Sequence, residues 1–198
     1  KVFEDEGFTL ADRRNRPPTN KIEYCRESAN GCETIWLNVG VKAFDRIWVP
    51  LKVKDREPAW LSRTCPSRKV PSIMILSPVD ALALVSMHTS CHFYIRSPGI
   101  RLHVDVDRLV RDNCIDWEAY IAEVIAMNIP TRAFVSLSMA VGLLGTPVPV
   151  SVLKRLYPGD KCWLSIRRLL VGDSVFATGK NKLRNMKNIR LRSCMRIS

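Results

Sequence analysis

The 198-residue sequence predicts an α+β chain, with a partial antiparallel or mixed sheet at the N-terminus followed by a helical bundle. Three observations predict it. The stretch Lys21–Val41 alternates apolar and polar residues about an Asn-Gly turn signal, as a β-hairpin does. From Ser77 onward the apolar residues recur at helical spacing. Caps and breakers then divide that second half into several helices. Residues 1–76 form the expected sheet region, 77–171 the helical bundle and 172–198 a basic tail.

In chain order, Lys1–Gly7 reads as the end of a helix with Gly7 as its C-cap. Asp12–Asn20 is polar and proline-rich, hence a loop. In the hairpin, Glu33, Ile35, Leu37, Val39 and Val41 share one face of the second strand, and Cys32, Thr34, Trp36 and Asn38 the other. Lys42–Arg68 predicts loops with room for one short strand or helix, and Val70–Leu76 a short buried strand. Ser77-Pro78-Val79-Asp80 then starts a helix, with a capping hydroxyl, proline in the first turn and an acid behind it. This helix should run to about Ile95, with Ala81, Leu84, Val85, His88, His92 and Ile95 along one face. A second helix spans about Ile100–Arg111 on Leu102, Val106, Leu109 and Val110. Asp116 caps a third, carrying Trp117, Ile121, Val124 and Ile125. Thr131 caps a fourth, with Phe134, Leu137, Val141 and Leu144, and Gly145 ends it. Pro147–Leu156 gives a fifth and Asp160 opens a sixth.

Composition narrows the function classes. Apolar residues make up 46% of the chain, enough for a sizeable core, so global disorder is excluded. The net charge of +12 favours anionic partners: nucleotides, nucleic acid or an acidic protein. From Ile166 to Ser198, nine basic residues stand against the single acid Asp173. Within that tail Lys180, Lys182, Arg184, Lys187 and Arg190 are the candidate nucleic-acid contacts. No aromatic residue follows Phe176, so base stacking is not expected there. Seven scattered cysteines without C-x-x-C spacing read as reduced thiols, hence a cytoplasmic protein. The run between Arg132 and Lys154 lacks charge, but Gly145-Thr146-Pro147-Val148-Pro149 interrupts it, so no membrane span is expected. The chain starts at Lys1 with no apolar leader after it, which reads as a processed product or a piece of a longer protein.

Three groups could carry chemistry. His88 and His92 stand one helical turn apart, a two-ligand spacing for zinc, but no third ligand is fixed and the glutamate of H-E-x-x-H is absent. The bland alternative is a hydrogen-bonded pair on a helix face. Asp105 falls between Leu102 and Leu109 in the second helix. A carboxylate buried in that stripe needs a partner, so a contact with His88, His92 or Arg101 is expected. Asp105-Val106-Asp107 has the D-x-D form that binds Mg²⁺ from a strand. On a helix the two carboxylates lie about 200° apart and cannot share one ion. The apolar spacing favours the helix.

The order S-P-x-D, H-x-x-x-H, R-L-x-x-D-V-x-R-L, D-W and L-L-G-x-P-x-P resembles the C-terminal half of the uncharacterised nucleotidyltransferase family. Here it is carried by Ser77, Pro78, Asp80, His88, His92, Arg101, Leu102, Asp105, Val106, Arg108, Leu109, Asp116, Trp117, Leu143, Leu144, Gly145, Pro147 and Pro149. Cys32-Glu33-Thr34-Ile35-Trp36 also resembles the family's V-E-L-H-W strand, keeping the Glu and the Trp, with Ile35 where a His would stand. The resemblance covers roughly residues 1–157. It implies a polymerase-beta-like nucleotidyltransferase sheet, Mg²⁺ and a nucleoside triphosphate as cofactor and substrate, and an acceptor hydroxyl. It implies Glu33 as the third metal-binding, catalytic carboxylate, and His88, His92, Arg101, Asp105 and Trp117 as pocket or support. The Gly-Ser turn and the catalytic D-x-D would lie upstream of Lys1, so the expectation is a nucleotidyltransferase without its N-terminal catalytic segment, inactive as this chain. The alternative reading is a non-enzymatic basic module that binds nucleic acid or an acidic partner.

Overall fold

The computed structural model describes residues 2–11, 21–29, 31, 33–40, 53–91 and 99–170. The chain is α+β, and it divides into two compact units, Lys1–Pro50 and Leu51–Ser198.

The first unit is built on a three-stranded antiparallel sheet of β1 (Thr9–Leu10), β2 (Lys21–Glu27) and β3 (Thr34–Gly40), in the order β1-β2-β3. The expected hairpin pairs Tyr24 with Leu37 and Glu27 with Thr34. At its turn Gly31 takes φ +66°, a conformation open to glycine at no steric cost, and its amide donates to Ser28 O. The short helix α1 (Val2–Asp5) closes at Gly7, φ +78°, as its C-cap reading predicts. Arg26 fastens this region to the sheet, donating to Glu6 O at 2.7 Å and stacking over the Phe8 ring at 4.6 Å.

The second unit opens with α2 (Glu57–Leu61) and a two-stranded antiparallel pair, β4 (Cys65–Pro66) with β5 (Met74–Ile75). Six helices follow: α3 (Pro78–Cys91), α4 (Ile100–Asp112), α5 (Trp117–Ala126), α6 (Pro130–Leu144), α7 (Val150–Leu156) and α8 (Asp160–Leu170). The caps behave locally as written. Ser77 Oγ accepts from the Asp80 amide at 3.1 Å, Asp116 accepts from the Ala119 amide at 3.0 Å, and Gly145 ends α6 at φ +63°.

Three expectations need correction. The 70–76 segment is not buried: Ile73, Met74 and Ile75 are exposed, because the segment pairs only with the two residues of β4. Thr131 does not cap α6; the helix already starts at Pro130, whose missing N–H costs nothing in the first turn. The face chosen for α3 is also wrong. His88 is exposed and Ala81, Leu84 and Val85 are half-buried, whereas Leu82, Ala83, Ser86, Met87, Thr89 and Ser90 are buried. α3 packs against α4, α5 and α6, so most of its circumference is covered and apolar periodicity loses its power to pick a side. The hydroxyls on the buried side are satisfied. Ser86 bonds Tyr120 Oη at 2.8 Å, Thr89 bonds Ser136 at 2.8 Å, and Ser90 accepts from the buried Arg132 at 3.0 Å. Burial raises the Tyr120 pKa although the Ser86 hydrogen bond pulls the other way.

Candidate functional site

Glu33 stands at the tip of the hairpin, immediately before β3, with its side chain exposed. Its carbonyl accepts from the Ser28 amide at 2.8 Å, which fixes the backbone of the tip. The carboxylate is therefore presented to solvent at a strand end.

The remaining sequence-derived residues do not converge. His88 lies on the exposed side of α3, and His92 falls outside the described residues. Trp117 opens α5 half-buried, edge-on to Tyr120 with ring centroids 5.8 Å apart. Arg101 is exposed on α4. Asp105 is exposed as well, which corrects its placement in the packing stripe. With Val106 at the centre of the buried face, Asp105 sits about 100° to one side. Among the described residues it makes no contact with His88 or Arg101, and His92 lies outside them. The third histidine, His103, which sequence reasoning passed over, is fully buried on the opposite flank of α4. The tail residues Lys180, Lys182, Arg184, Lys187 and Arg190 lie outside the described residues.

Asp107 has a different task from Asp105. Arg111, one turn along α4, holds its carboxylate with Nε at 2.8 and 3.0 Å. Thr146 Oγ1 donates to the same carboxylate at 2.7 Å. Arg111 Nη2 in turn donates to Leu144 O and Gly145 O, carbonyls at the C-terminus of α6 that have no intrahelical partner. The D-x-D is helical, as the apolar spacing predicts, and its second carboxylate ties α4 to the end of α6. Among the described residues no three His, Cys, Asp or Glu side chains come together in a way that could hold a metal ion.

The strongest electrostatic feature of the second unit lies elsewhere. Glu123 is only 7% exposed, and it accepts from Arg56 Nε at 3.0 Å, Arg56 Nη2 at 3.3 Å, Trp60 Nε1 at 2.9 Å and Arg63 Nη2 at 3.0 Å. Asp80, fully buried, accepts from Arg63 Nε at 3.0 Å and from Ser77 Oγ at 2.7 Å. Two cations and two anions thus balance, and every carboxylate oxygen has a donor. Burial raises the Glu123 pKa, but the hydrogen bonds from Arg56 and Trp60 and the charges of Arg56 and Arg63 outweigh it and leave it lowered. The carboxylates hold Arg56 and Arg63 more firmly protonated than usual. Such a closed network positions α2, α3 and α5 rather than offering a free charge to a ligand. The sequence signals were faint: Asp80 read as a first-turn acid, and Glu123 drew no reading. Their arginine partners lie 17 to 67 residues away in sequence.

No curated protein and no solved structure matches the chain. A family model described as "Uncharacterised nucleotidyltransferase" matches residues 1–145, from the start of the chain through the glycine that ends α6. That match takes in the hairpin with Glu33, the ion network and the Asp107–Arg111 pair, so the chain belongs to the uncharacterised nucleotidyltransferase family.

Proposed function

We propose that this chain is the acceptor-side and supporting portion of a cytoplasmic nucleotidyltransferase, and that by itself it does not transfer nucleotides. Family membership supports a nucleotide as substrate. The family's chemistry implies Mg²⁺-dependent attack of an acceptor hydroxyl on a nucleoside triphosphate. The observation that carries the inactivity is the state of Asp105-Val106-Asp107, the sole D-x-D in the sequence. It lies on α4, Asp105 faces water, and Asp107 is committed to Arg111 and Thr146. Mg²⁺ shared by two carboxylates requires both on one face. The described residues therefore do not fit the ion. Glu33 is the residue we assign to the reaction, as the carboxylate that accepts the acceptor's proton, which its exposed position at a strand end allows. Of the other sequence-derived residues, Trp117 is the one we assign a supporting role, edge-on to the buried Tyr120.

Incubation of the purified chain with labelled ATP or UTP, Mg²⁺ and a cell extract as acceptor source tests this. No label above the metal-free control is expected, and Mg²⁺-dependent incorporation would overturn the proposal. One observation favours a second reading: nine basic residues against one acid after Ile166 suit a module that binds nucleic acid. Salt-sensitive gel shifts that vanish on deletion of residues 180–198 would establish it, and salt-independent absence of binding would remove it.

A further inference from the structure

We propose that residues 64–76 form a preorganised finger that docks on an anionic lipid surface. Its base is bolted at both feet to one buried carboxylate: Arg63, just before the finger, and Ser77, just after it, both donate to Asp80. The body is the β4–β5 pair, Cys65 opposite Ile75 and Pro66 opposite Met74. The tip is a tight turn closed by the Ile73 amide on Val70 O at 2.9 Å and the Ser67 amide on Ile73 O at 2.7 Å. Ser67 Oγ accepts from the Lys69 and Val70 amides and fixes the approach to that turn. The finger is thus ordered by its own hydrogen bonds, without a packed apolar side.

What it presents is apolar. Val70 is 45% exposed, Ile73 53%, Met74 54% and Ile75 44%. Met74 and Ile75 are neighbours on a strand, so their side chains leave opposite faces, and Val70 and Ile73 flank the turn. A flat partner could cover one of these faces only, whereas insertion into a soft medium covers both faces and the tip. Peptide addition to an edge is a poor fit, because strands of two residues offer too few backbone groups. The charge chooses between surfaces. No acid occurs from Pro58 to Val79, and Arg68 and Lys69 beside the tip are exposed and make no ion pair among the described residues. An apolar tip with a basic collar fits the boundary between acyl chains and anionic headgroups, where such anchoring is reversible. The mode is surface attachment, in keeping with the absence, among the described residues, of a helix long and apolar enough to cross a membrane.

Flotation of the full chain with vesicles at physiological ionic strength tests the proposal. Two vesicle compositions are compared, pure phosphatidylcholine and an equal mixture of phosphatidylcholine and phosphatidylglycerol. The chain should float with the mixed vesicles and not with the neutral ones. Ile73→Ser combined with Met74→Ser keeps every charge and should weaken partition about tenfold. Arg68→Glu combined with Lys69→Glu should abolish it. Both pairs lie on the surface, and unchanged circular dichroism and thermal midpoints would show that the fold is kept. Failure of the parent chain to float overturns the proposal, as does a serine pair that floats undiminished, which would assign the binding to the basic residues after 179. A parent chain that stays off vesicles yet self-associates, and loses that association in the serine pair, would overturn it in favour of contact between two copies.

Discussion

Glu123 concentrates more of this protein's electrostatics than any other described residue. Removing it takes away the acceptor that Arg56, Trp60 Nε1 and Arg63 share, and leaves Arg63 with Asp80 as its carboxylate. Glu123→Ala should therefore cost about 3 kcal/mol of unfolding free energy, less than a fully buried pair would lose because Arg56 and Arg63 are partly solvated. Urea denaturation at neutral pH reads this directly. The same carboxylate gives an acid dependence whose direction is fixed. Its folded pKa lies below the ordinary 4.5, so its contribution is complete above that pH and is lost as the pH falls through the lowered folded value. Stability of the parent chain should fall more steeply below pH 4.5 than that of Glu123→Gln, and parallel slopes would show that the carboxylate is not held by its arginines. Sequence reasoning did not single this residue out. Nothing within one helical turn of it announces partners in the Arg56–Arg63 segment, and Asp105 drew attention instead because it resembled a motif. The physical difference is plain in retrospect. Asp105 stands about 100° off the buried centre of its helix, where water does the work of a partner.

At the level of elements, what was legible was what is local. Ser77, Asp116 and Gly145 act on amides or dihedrals within four residues of themselves, so their helices could be read from the sequence. The orientation of α3 could not, because three neighbouring helices cover it and its buried side carries Ser86, Thr89 and Ser90. Their burial depends on Tyr120, Ser136 and Arg132, partners on other helices. The two carboxylates of α4 give a paired test of the distinction. Asp107→Ala releases Arg111 from its clamp and leaves Thr146 without its acceptor, and should cost about 1–2 kcal/mol. Asp105→Ala, a change at an exposed site, should stay within about 0.5 kcal/mol. Denaturant midpoints of the two variants measured side by side decide it. Equal losses would mean that Asp105 carries a contact of its own, and a negligible loss at Asp107 would mean that the tie between α4 and α6 is idle.

On the scale of the whole molecule, the expected α+β order of a sheet followed by helices is present, and the two compact units differ in what holds them. Among the described residues the buried apolar side chains run from Trp60 to Ile166, within the unit after Pro50. Among its described residues that unit contains the helices α2 to α8, the Glu123–Asp80 network and the hydroxyl pairs of α3. Among the described side chains before Pro50, none is buried, and the sheet relies on backbone pairing, the Phe3–Tyr24 ring contact at 5.2 Å and the Arg26 clamp. A three-stranded sheet becomes independently stable only with an apolar face that is covered. Expressed separately, residues 51–198 should give a helical circular dichroism spectrum and a single cooperative thermal transition. Residues 1–50 should show no cooperative transition. A gradual, non-cooperative melt of 51–198 would contradict this, because it would place part of the stabilising core in the first fifty residues, where the described side chains show none.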